Sequence, residues 1–329
     1  MSTEPDPARP RGVEVLVVGD ANPDLVLSGD VVPRFGQAEQ ILDDATLVIG
    51  GSAAITAHGL ARLGRPVALL AAVGDDVLGH ALTNLLAGAG VHTDRVLVRR
   101  HLSTGLTVVL NRADDRAILT SIGAIDTLTA AEVLEAATEL RPGGLRHVHV
   151  ASYFLQPGLA RELPDVLRSL RELGLTTSLD TNDDPSGRWR GIAELLPHLD
   201  LLLPNRAEAV ALGRDADVRR AAHALAAHGP TTVVKDGDRG AFAVLPDGSV
   251  TEVRAAPVTP VDTTGAGDTF DAAFLAAWGD GVGIESALGR AVVAGALSVA
   301  HIGGTAGQPT PDQITEALAG DLAPSGGHP

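Results

Sequence analysis

The stretch DTTGAGDTF spans residues 262–270 and lies between a strand-like stretch at 250–258 and a predicted helix. Helical spacing starts at once, with one apolar stripe formed by Phe270, Ala273, Phe274, Ala277 and Trp278. The two glycines therefore lie at a helix N-terminus. Backbone N–H groups without intrahelical acceptors and the helix dipole favour an anion there. We expect a phosphate site at this helix start.

Asp268 falls in the first turn of the same predicted helix. A carboxylate beside an anion site suits phosphoryl transfer to an alcohol, because it can accept the proton of the attacking hydroxyl group. The residues alone also allow a second interpretation, in which Asp262 or Thr264 caps the helix and Asp268 only interacts with its dipole.

The rest of the chain alternates between two patterns. Short apolar runs that predict buried strands lie at 13–19, 66–74, 145–152, 175–180, 199–204 and 231–237. Ala- and Leu-rich stretches of helical length lie at 52–64, 76–90, 129–139, 158–173, 205–228, 266–279 and 283–302. Continuous apolar strands separated by helices predict a doubly wound α/β fold with a mostly parallel sheet, covered on both faces. Its site should lie at the carboxyl ends of the strands.

Two segments interrupt this alternation, at about 24–48 and 95–122. Both carry period-two alternation and turn residues, which predict hairpin strands. We expect the two to pair into one small β-sheet that stands off the core as a lid, with the core domain running from 13 to 310.

Composition excludes several classes of protein. The 329 residues include no cysteine, which excludes disulfide scaffolds, thiolate metal sites and a cysteine nucleophile. The formal net charge of −16 makes nucleic acid and anionic membranes poor partners, and no apolar run reaches the length of a membrane span. The polar N-terminus has no signal-peptide pattern, so we expect a cytoplasmic protein with a disordered lead-in at 1–12 and a flexible tail at 320–329.

DTTGAGDTF at 262–270 and VIGGSAAITAHGLARLG at 48–64 together resemble the two signatures of the ribokinase or PfkB family of carbohydrate kinases. The resemblance covers about residues 13–310. It implies a ribokinase-like fold with a β-sheet lid, and transfer of the γ-phosphoryl group of ATP to a hydroxyl group of a small sugar with Mg²⁺. It also implies a homodimer formed through the lid.

The resemblance also implies roles for individual residues. Asp268 would be the catalytic base, and the backbone of Gly265, Ala266 and Gly267 would form the anion hole. On the acceptor side, Gly50 and Gly51 would bring backbone close to the sugar. Acceptor hydroxyl groups would be hydrogen-bonded by Asn22, Asp24 and Ser52.

On the donor side, Asn205 and Glu208 match the family's Asn-x-x-Glu motif, whose glutamate organises Mg²⁺ and phosphate through water. Lys235 and Gly237 match a strand end that contacts nucleotide, and Asn182 follows another strand end that can line the phosphate cleft. Asp262 and Thr264 match positions that bind a monovalent cation such as K⁺. From spacing alone, Asn205 and Glu208 also fit a capping box, a purely structural alternative.

The acceptor remains open, because Ile55 stands where the family commonly has an asparagine that contacts sugar, and Ser52 replaces a usual lysine. Two alternatives therefore stay beside the sugar kinase. A nucleoside kinase would stack its base on an aromatic ring such as Phe35, Tyr153 or Phe154, although aromatics make up 2% of the chain. A non-catalytic sugar- or nucleotide-binding protein would keep the fold without the chemistry. A Walker-type NTPase is excluded, since the sole lysine, Lys235, is followed by aspartate.

Overall fold

The structure is a computed structural model that describes residues 12–37, 39–112 and 116–321. Most of the lead-in predicted at 1–12 and of the tail predicted at 320–329 lies outside these ranges. The tail was predicted to begin too early, because the last helix continues through Asp321.

A large sheet forms the centre of the described chain. Its strands are β1 (Val15–Val18), β4 (Val67–Gly74), β5 (Val96–Arg99), β8 (His147–Val150), β9 (Thr176–Leu179), β10 (Leu201–Leu202), β11 (Thr231–Lys235), β12 (Ala241–Val244) and β13 (Val250–Val253). They lie in the order β13-β12-β11-β10-β9-β8-β1-β4-β5. The strands from β11 to β5 are parallel, and the antiparallel hairpin β12–β13 forms one edge. The predicted mostly parallel α/β fold is confirmed.

A second, smaller sheet is separate from the first, as predicted. It contains β2 (Asn22–Ser28), β3 (Asp44–Gly50), β6 (Leu106–Asn111) and β7 (Arg116–Ser121), in the order β3-β2-β6-β7. One boundary was wrong, because residues 96–99 were assigned to this sheet. They form β5, which pairs in parallel with β4 at the edge of the large sheet. Short alternating edge strands and hairpin strands have the same sequence pattern, so the pattern could not separate them.

Helices cover both faces of the large sheet. They are α1 (Ser52–Arg62), α2 (Val77–Gly88), α3 (Ala130–Leu140), α4 (Pro157–Glu172), α5 (Arg206–Gly213), α6 (Val218–Ala226), α7 (Ala266–Gly279), α8 (Ile284–Ser298) and α9 (Pro311–Asp321). The single helix predicted at 205–228 is two helices, since Arg214 is left-handed (φ 53°) and Asp217 caps α6. The domain also extends past 310, because Ile314 of α9 is buried in the core. Within the described ranges, no helix is long and apolar enough to cross a membrane.

The alternation of side chains along β1 shows why its whole sequence is apolar. Val15 and Val17 pack in the core layer that contains residues of α1, α7 and α8. Leu16 and Val18 pack on the opposite face, in the layer of α3 and α4. A strand buried on both faces has no position where a polar side chain meets water.

The close packing of α1 against α7 gives a stability prediction. A Cβ atom on Gly59 would lie 2.7 Å from Cβ of Ala272, so Gly59→Val would force the two helices apart. We expect its free energy of unfolding to fall by about 1–3 kcal/mol in urea denaturation. Gly88→Ala in α2 is the control, because no atom beyond the neighbouring backbone of its own helix lies within 4 Å of the added methyl group. Equal stability of the Gly59→Val variant and the wild type would show that α1 and α7 accommodate the larger side chain without strain.

Candidate active site

Polar residues converge on the carboxyl edge of the large sheet, among them Asn205 and Lys235, which were singled out in the sequence. Asp20 follows β1, Asp180 follows β9, Asn205 follows β10, and Lys235 is the last residue of β11. Parallel strands all present their carboxyl ends at the same edge, so residues far apart in sequence meet there. The N-termini of α1 and α7 face this edge as well, because Ser52 of α1 contacts Asp268 of α7.

These two helix N-termini differ in what occupies them. In α1, the carboxylate of Asp20 accepts hydrogen bonds from the amides of Ser52 and Ala53, at 3.2 and 3.0 Å. No side chain caps α7, whose N-cap is Gly265. The first turn of α7 therefore keeps its capacity for an external anion, whereas Asp20 fills that of α1.

The conformation of the predicted anion hole requires glycine. Gly265 has φ 70°, in the left-handed region, and a Cβ there would lie 2.6 Å from Cα of Gly304. Gly267 follows in the first turn. The amide of Ala266 lies 3.3 Å from the carbonyl oxygen of Thr263, a long bond that a phosphate oxygen would have to replace.

Asp268 lies at the centre of the site. Its Oδ1 accepts a hydrogen bond from Oγ of Ser52, which in turn accepts one from Nδ2 of Asn182 at 3.0 Å. The side chain of Asn182 is held by the amide of Ser152, at 2.8 Å. Burial, together with the nearby charge of Asp180, raises the pKa of Asp268 to about 7. Ser52 and Asn182, predicted on the acceptor and donor sides, thus both orient this carboxylate.

A second polar cluster lies within the small sheet. Nδ2 of Asn22 donates to Oδ1 of Asp24 at 2.8 Å and to Oγ1 of Thr107 at 3.0 Å. Burial, and then the charge of Asp20, raises the pKa of Asp24 to about 7. Any side chain on Gly50 would overlap with the Asp24 carboxylate, so only glycine fits there. Sequence reasoning missed Thr107, because its position opposite Asp24 depends on the pairing of β2 with β6.

Gly51, the other half of the predicted glycine pair, has φ 85°. A Cβ on Gly51 would lie 2.8 Å from the carbonyl oxygen of Asp20. Gly51 is thus favoured by its left-handed backbone and by the close approach of the backbone after β1, whereas Gly50 is favoured by the Asp24 side chain.

Asn205 and Glu208 form a capping box at the start of α5, as their spacing allows. The amide of Asn205 donates to Oε2 of Glu208 at 2.9 Å, and the amide of Glu208 donates to Oδ1 of Asn205 at 3.0 Å. Burial, reinforced by the charge of Asp180, raises the pKa of Glu208 to about 8. Both residues therefore cap the start of α5, while the role of Glu208 toward Mg²⁺ stays a prediction.

The described part of the chain contains no cluster of three or more His, Asp or Glu side chains suited to holding a metal by themselves. A Mg²⁺ ion carried by nucleotide phosphates, with Glu208 contributing through water, fits these residues better than a site made by the protein alone.

Lys235 is bound within the protein. Its Nζ donates to Oδ2 of Asp180 at 2.7 Å and to Oδ2 of Asp271 at 3.0 Å. Its predicted contact with nucleotide stays a prediction, as does that of Gly237, whose Cα faces open space. Sequence reasoning missed the contribution of Asp271. The signal was a charged residue in an otherwise apolar helix, three residues after Asp268.

Asp262 ties together the loop before α7. Its Oδ1 accepts from the amide and the hydroxyl group of Thr264, at 2.9 and 2.7 Å, and its Oδ2 accepts from the amide of Gly303, at 2.9 Å. The monovalent cation predicted at Asp262 and Thr264 stays a prediction.

Ile55 is part of the hydrophobic core rather than of an open pocket. Its side chain is 3% exposed and contacts Gly304, where an added Cβ would lie 2.5 Å from Cδ1 of Ile55. Where the family commonly has an asparagine, this chain therefore has an apolar side chain that packs in the core.

Comparison with known proteins identifies relatives of this chain in sequence and in structure. Residues 14–311 match the family described as pfkB family carbohydrate kinase. A ribokinase from Bacillus subtilis is 32% identical over 307 residues, covering 93% of this chain and 99% of the relative. An ATP-dependent ribose-1-phosphate kinase from Halopiger xanaduensis is 32% identical over 315 residues, covering 93% and 98%. The structure of Arabidopsis thaliana ribokinase complexed with ribose and ATP superposes with a TM-score of 0.79 at 25% identity, covering 93% and 99%.

The burial of Ile55 gives a prediction that separates core packing from substrate contact. Ile55→Asn should lower the free energy of unfolding by about 2–4 kcal/mol, because the amide of the asparagine would be buried without hydrogen-bond partners. Ile55→Val should cost only about 0.5–1.5 kcal/mol. Urea denaturation of both variants checks this. An asparagine variant with unchanged stability would place the side chain in an open pocket instead.

Proposed function

Because this chain belongs to the pfkB family of carbohydrate kinases, we propose that it transfers the γ-phosphoryl group of ATP to a hydroxyl group of a small sugar. The observation that carries the proposal is the buried carboxylate of Asp268 in the first turn of α7. Its pKa of about 7 lets it accept a proton near neutral pH. The amides beside it suit the charge of a transferring phosphoryl group.

On the acceptor side, the sugar would lie between the small sheet and the core, over Gly50 and Gly51. Asn22 and Asp24 would hold its hydroxyl groups. The attacking hydroxyl oxygen forms a bond to the γ-phosphorus as the bond to the ADP oxygen breaks, and its proton passes to Asp268. Ser52 keeps that carboxylate in place by its hydrogen bond.

On the donor side, the backbone at Gly265, Ala266 and Gly267 would stabilise the γ-phosphoryl oxygens. Asn182, Asn205 and Gly237 follow neighbouring strand ends, where the rest of the nucleotide would lie. Glu208 would hold Mg²⁺ through water, and the ion, when bound, neutralises phosphate charge. Asp262 and Thr264 would provide the site of a monovalent cation such as K⁺.

Charge favours a neutral acceptor over a sugar phosphate. Carboxylates surround the acceptor position, from Asp20 through Asp24 to Asp268. Arg34, near the small sheet, pairs with Asp30. Arg99 binds both carboxylate oxygens of Glu132, each at 2.9 Å. We therefore propose that the acceptor is an unphosphorylated sugar, as in the name of the Bacillus subtilis ribokinase. A phosphorylated sugar, as in the name of the Halopiger xanaduensis ribose-1-phosphate kinase, fits this charge less well.

A nucleoside is the second candidate acceptor. Phe35, between β2 and β3, is 99% exposed and would be available to stack on a base. Tyr153 and Phe154 are less suited, because their rings pack edge-on against each other at 5.0 Å and Tyr153 is buried.

The proposed homodimer would form through the small sheet. Ile118 and Leu119 of β7 are 57% and 58% exposed, and Leu47 of β3 is 45% exposed. Apolar side chains at both edge strands of one sheet suit a partner surface.

The experiment that tests the function is ADP release from Mg-ATP with ribose, other neutral sugars, ribose 1-phosphate and adenosine, each with and without K⁺. We expect turnover with a neutral sugar. Turnover with adenosine alone would select the nucleoside alternative. Confirmed ATP binding with no turnover on any acceptor would favour a protein that only binds.

Asp268→Asn should lower kcat by about 10²–10⁴-fold, because the amide cannot accept the hydroxyl proton. Binding of Mg-ATP, measured by calorimetry, should persist. Asp247→Asn, at an exposed aspartate in the turn between β12 and β13, is the control and should leave kcat unchanged. An Asp268→Asn variant within threefold of wild type would exclude a general base at this position.

The raised pKa of Asp268 gives a pH dependence. The base must be ionised, so kcat/KM for the acceptor should fall about tenfold per pH unit below pH 7 and level off above it. Asp24 titrates in the same range, so the profile should also be measured for Asp24→Asn. Persistence of the acid limb in that variant assigns the limb to Asp268. Loss of the acid limb in Asp24→Asn would assign the limb to Asp24.

A further inference from the structure

Lys235 joins three elements of the catalytic edge. Its ammonium group lies between Asp180, which follows β9, and Asp271, in the second turn of α7, while its own backbone ends β11. The lysine side chain is 11% exposed, and those of the two aspartates are 2% and 0% exposed. The contact is thus a buried ion pair between one cation and two carboxyl groups.

We propose that Lys235 is a positioning residue for phosphoryl transfer, which fixes the first turn of α7 and offsets the negative charge around Asp268 rather than contacting nucleotide. The proposal rests on the proposed function, since it takes Asp268 as the general base. It assigns to Lys235 a role other than the nucleotide contact that its strand-end position predicts.

The donor capacity of the ammonium group supports this assignment. An ammonium group has three N–H donors. Three acceptor atoms surround Nζ, namely Oδ2 of Asp180 at 2.7 Å and Oδ1 and Oδ2 of Asp271 at 3.2 and 3.0 Å. A phosphate oxygen could bind Nζ only by displacing one of these buried contacts, which would leave a carboxylate without its partner.

Two routes connect Lys235 to the general base. The first is through α7, where Asp271 lies one turn after Asp268, and a Cβ on Gly267 would lie 3.6 Å from Nζ. The second is through Asp180, whose Oδ1 accepts from the amide of Asn182 at 3.1 Å. Asn182 donates to Ser52, and Ser52 donates to Asp268. Lys235 therefore holds both the helix that carries the base and the side chains that orient it.

Charge gives Lys235 a second effect on the base. The titratable groups that act on Asp268 across the cleft are Asp20, Asp180, Glu208 and Lys235. Lys235 is the cation of this set, and its charge lowers the pKa of both Asp268 and Glu208 against the effect of burial. Burial opposes ionisation of Asp180 too, but the ammonium group and hydrogen bonds lower its pKa. Without the ammonium group, Asp268 would hold its proton at higher pH.

Lys235→Met tests the proposal, because methionine keeps most of the apolar stem and removes the charge. We expect kcat to fall about 10–100-fold and the acid limb of kcat/KM to move up by about one to two pH units. The KM and the calorimetric affinity for Mg-ATP should stay within about threefold of wild type. If Lys235 instead contacts nucleotide, Lys235→Met should bind Mg-ATP more weakly and leave the acid limb unchanged. That result would overturn the proposal.

A second pair of variants keeps the test decisive if Lys235→Met folds poorly. Asp180→Asn removes the buried carboxylate whose pKa the ammonium group lowers and whose charge raises the pKa of Asp268, so Lys235→Met/Asp180→Asn restores the charge balance. We expect the double variant to be more stable than Lys235→Met and to recover part of the shift in the acid limb. Strict additivity of the two substitutions in both stability and pH profile would overturn the proposal. A wild type inactive on every acceptor would instead reject the proposed function itself.

Discussion

One buried ammonium group organises the carboxyl edge of the large sheet. Lys235 binds Asp180 and Asp271, and through them it links β9, β11 and α7. Burying carboxylates is costly unless a cation or hydrogen bonds compensate them. Further buried carboxyl groups lie near this edge, among them those of Asp20, Asp24, Glu208 and Asp268. The positions of the proposed base and its neighbours therefore depend on where this ion pair forms.

The fold was predictable where local sequence and tertiary position agree. All four residues of β1 are apolar because both of its faces are buried, and the strand predicted at 13–19 is present. The prediction failed where one pattern fits two environments. Residues 96–99 lie in a segment whose overall pattern predicts hairpin strands, yet they pair at the edge of the large sheet. The stretch 205–228 is Ala-rich overall, but the left-handed Arg214 divides it between Gly213, which ends α5, and Asp217, which caps α6.

The candidate site was predictable in its local parts. Gly265, Gly267 and Asp268 follow one another in sequence, so their place at a helix start could be inferred from spacing. The contacts of Asp20 with α1 and of Asp271 with Lys235 join residues 32 to 36 positions apart in sequence. Such contacts depend on strand order and register, which a single sequence does not specify. The family assignment is confirmed, while the roles of the individual residues stay predictions.

Asp268 is subject to opposing electrostatic effects. In the first turn of a helix, the dipole favours the ionised carboxylate, and the hydrogen bond from Ser52 acts in the same direction. Burial and the charge of Asp180 act against ionisation and prevail, giving a pKa of about 7. A carboxylate at its ordinary pKa would be a weak base toward a sugar hydroxyl, and one shifted much further would stay protonated at neutral pH. The balance between a buried position and a compensating lysine therefore sets this carboxyl group in the range that a general base requires.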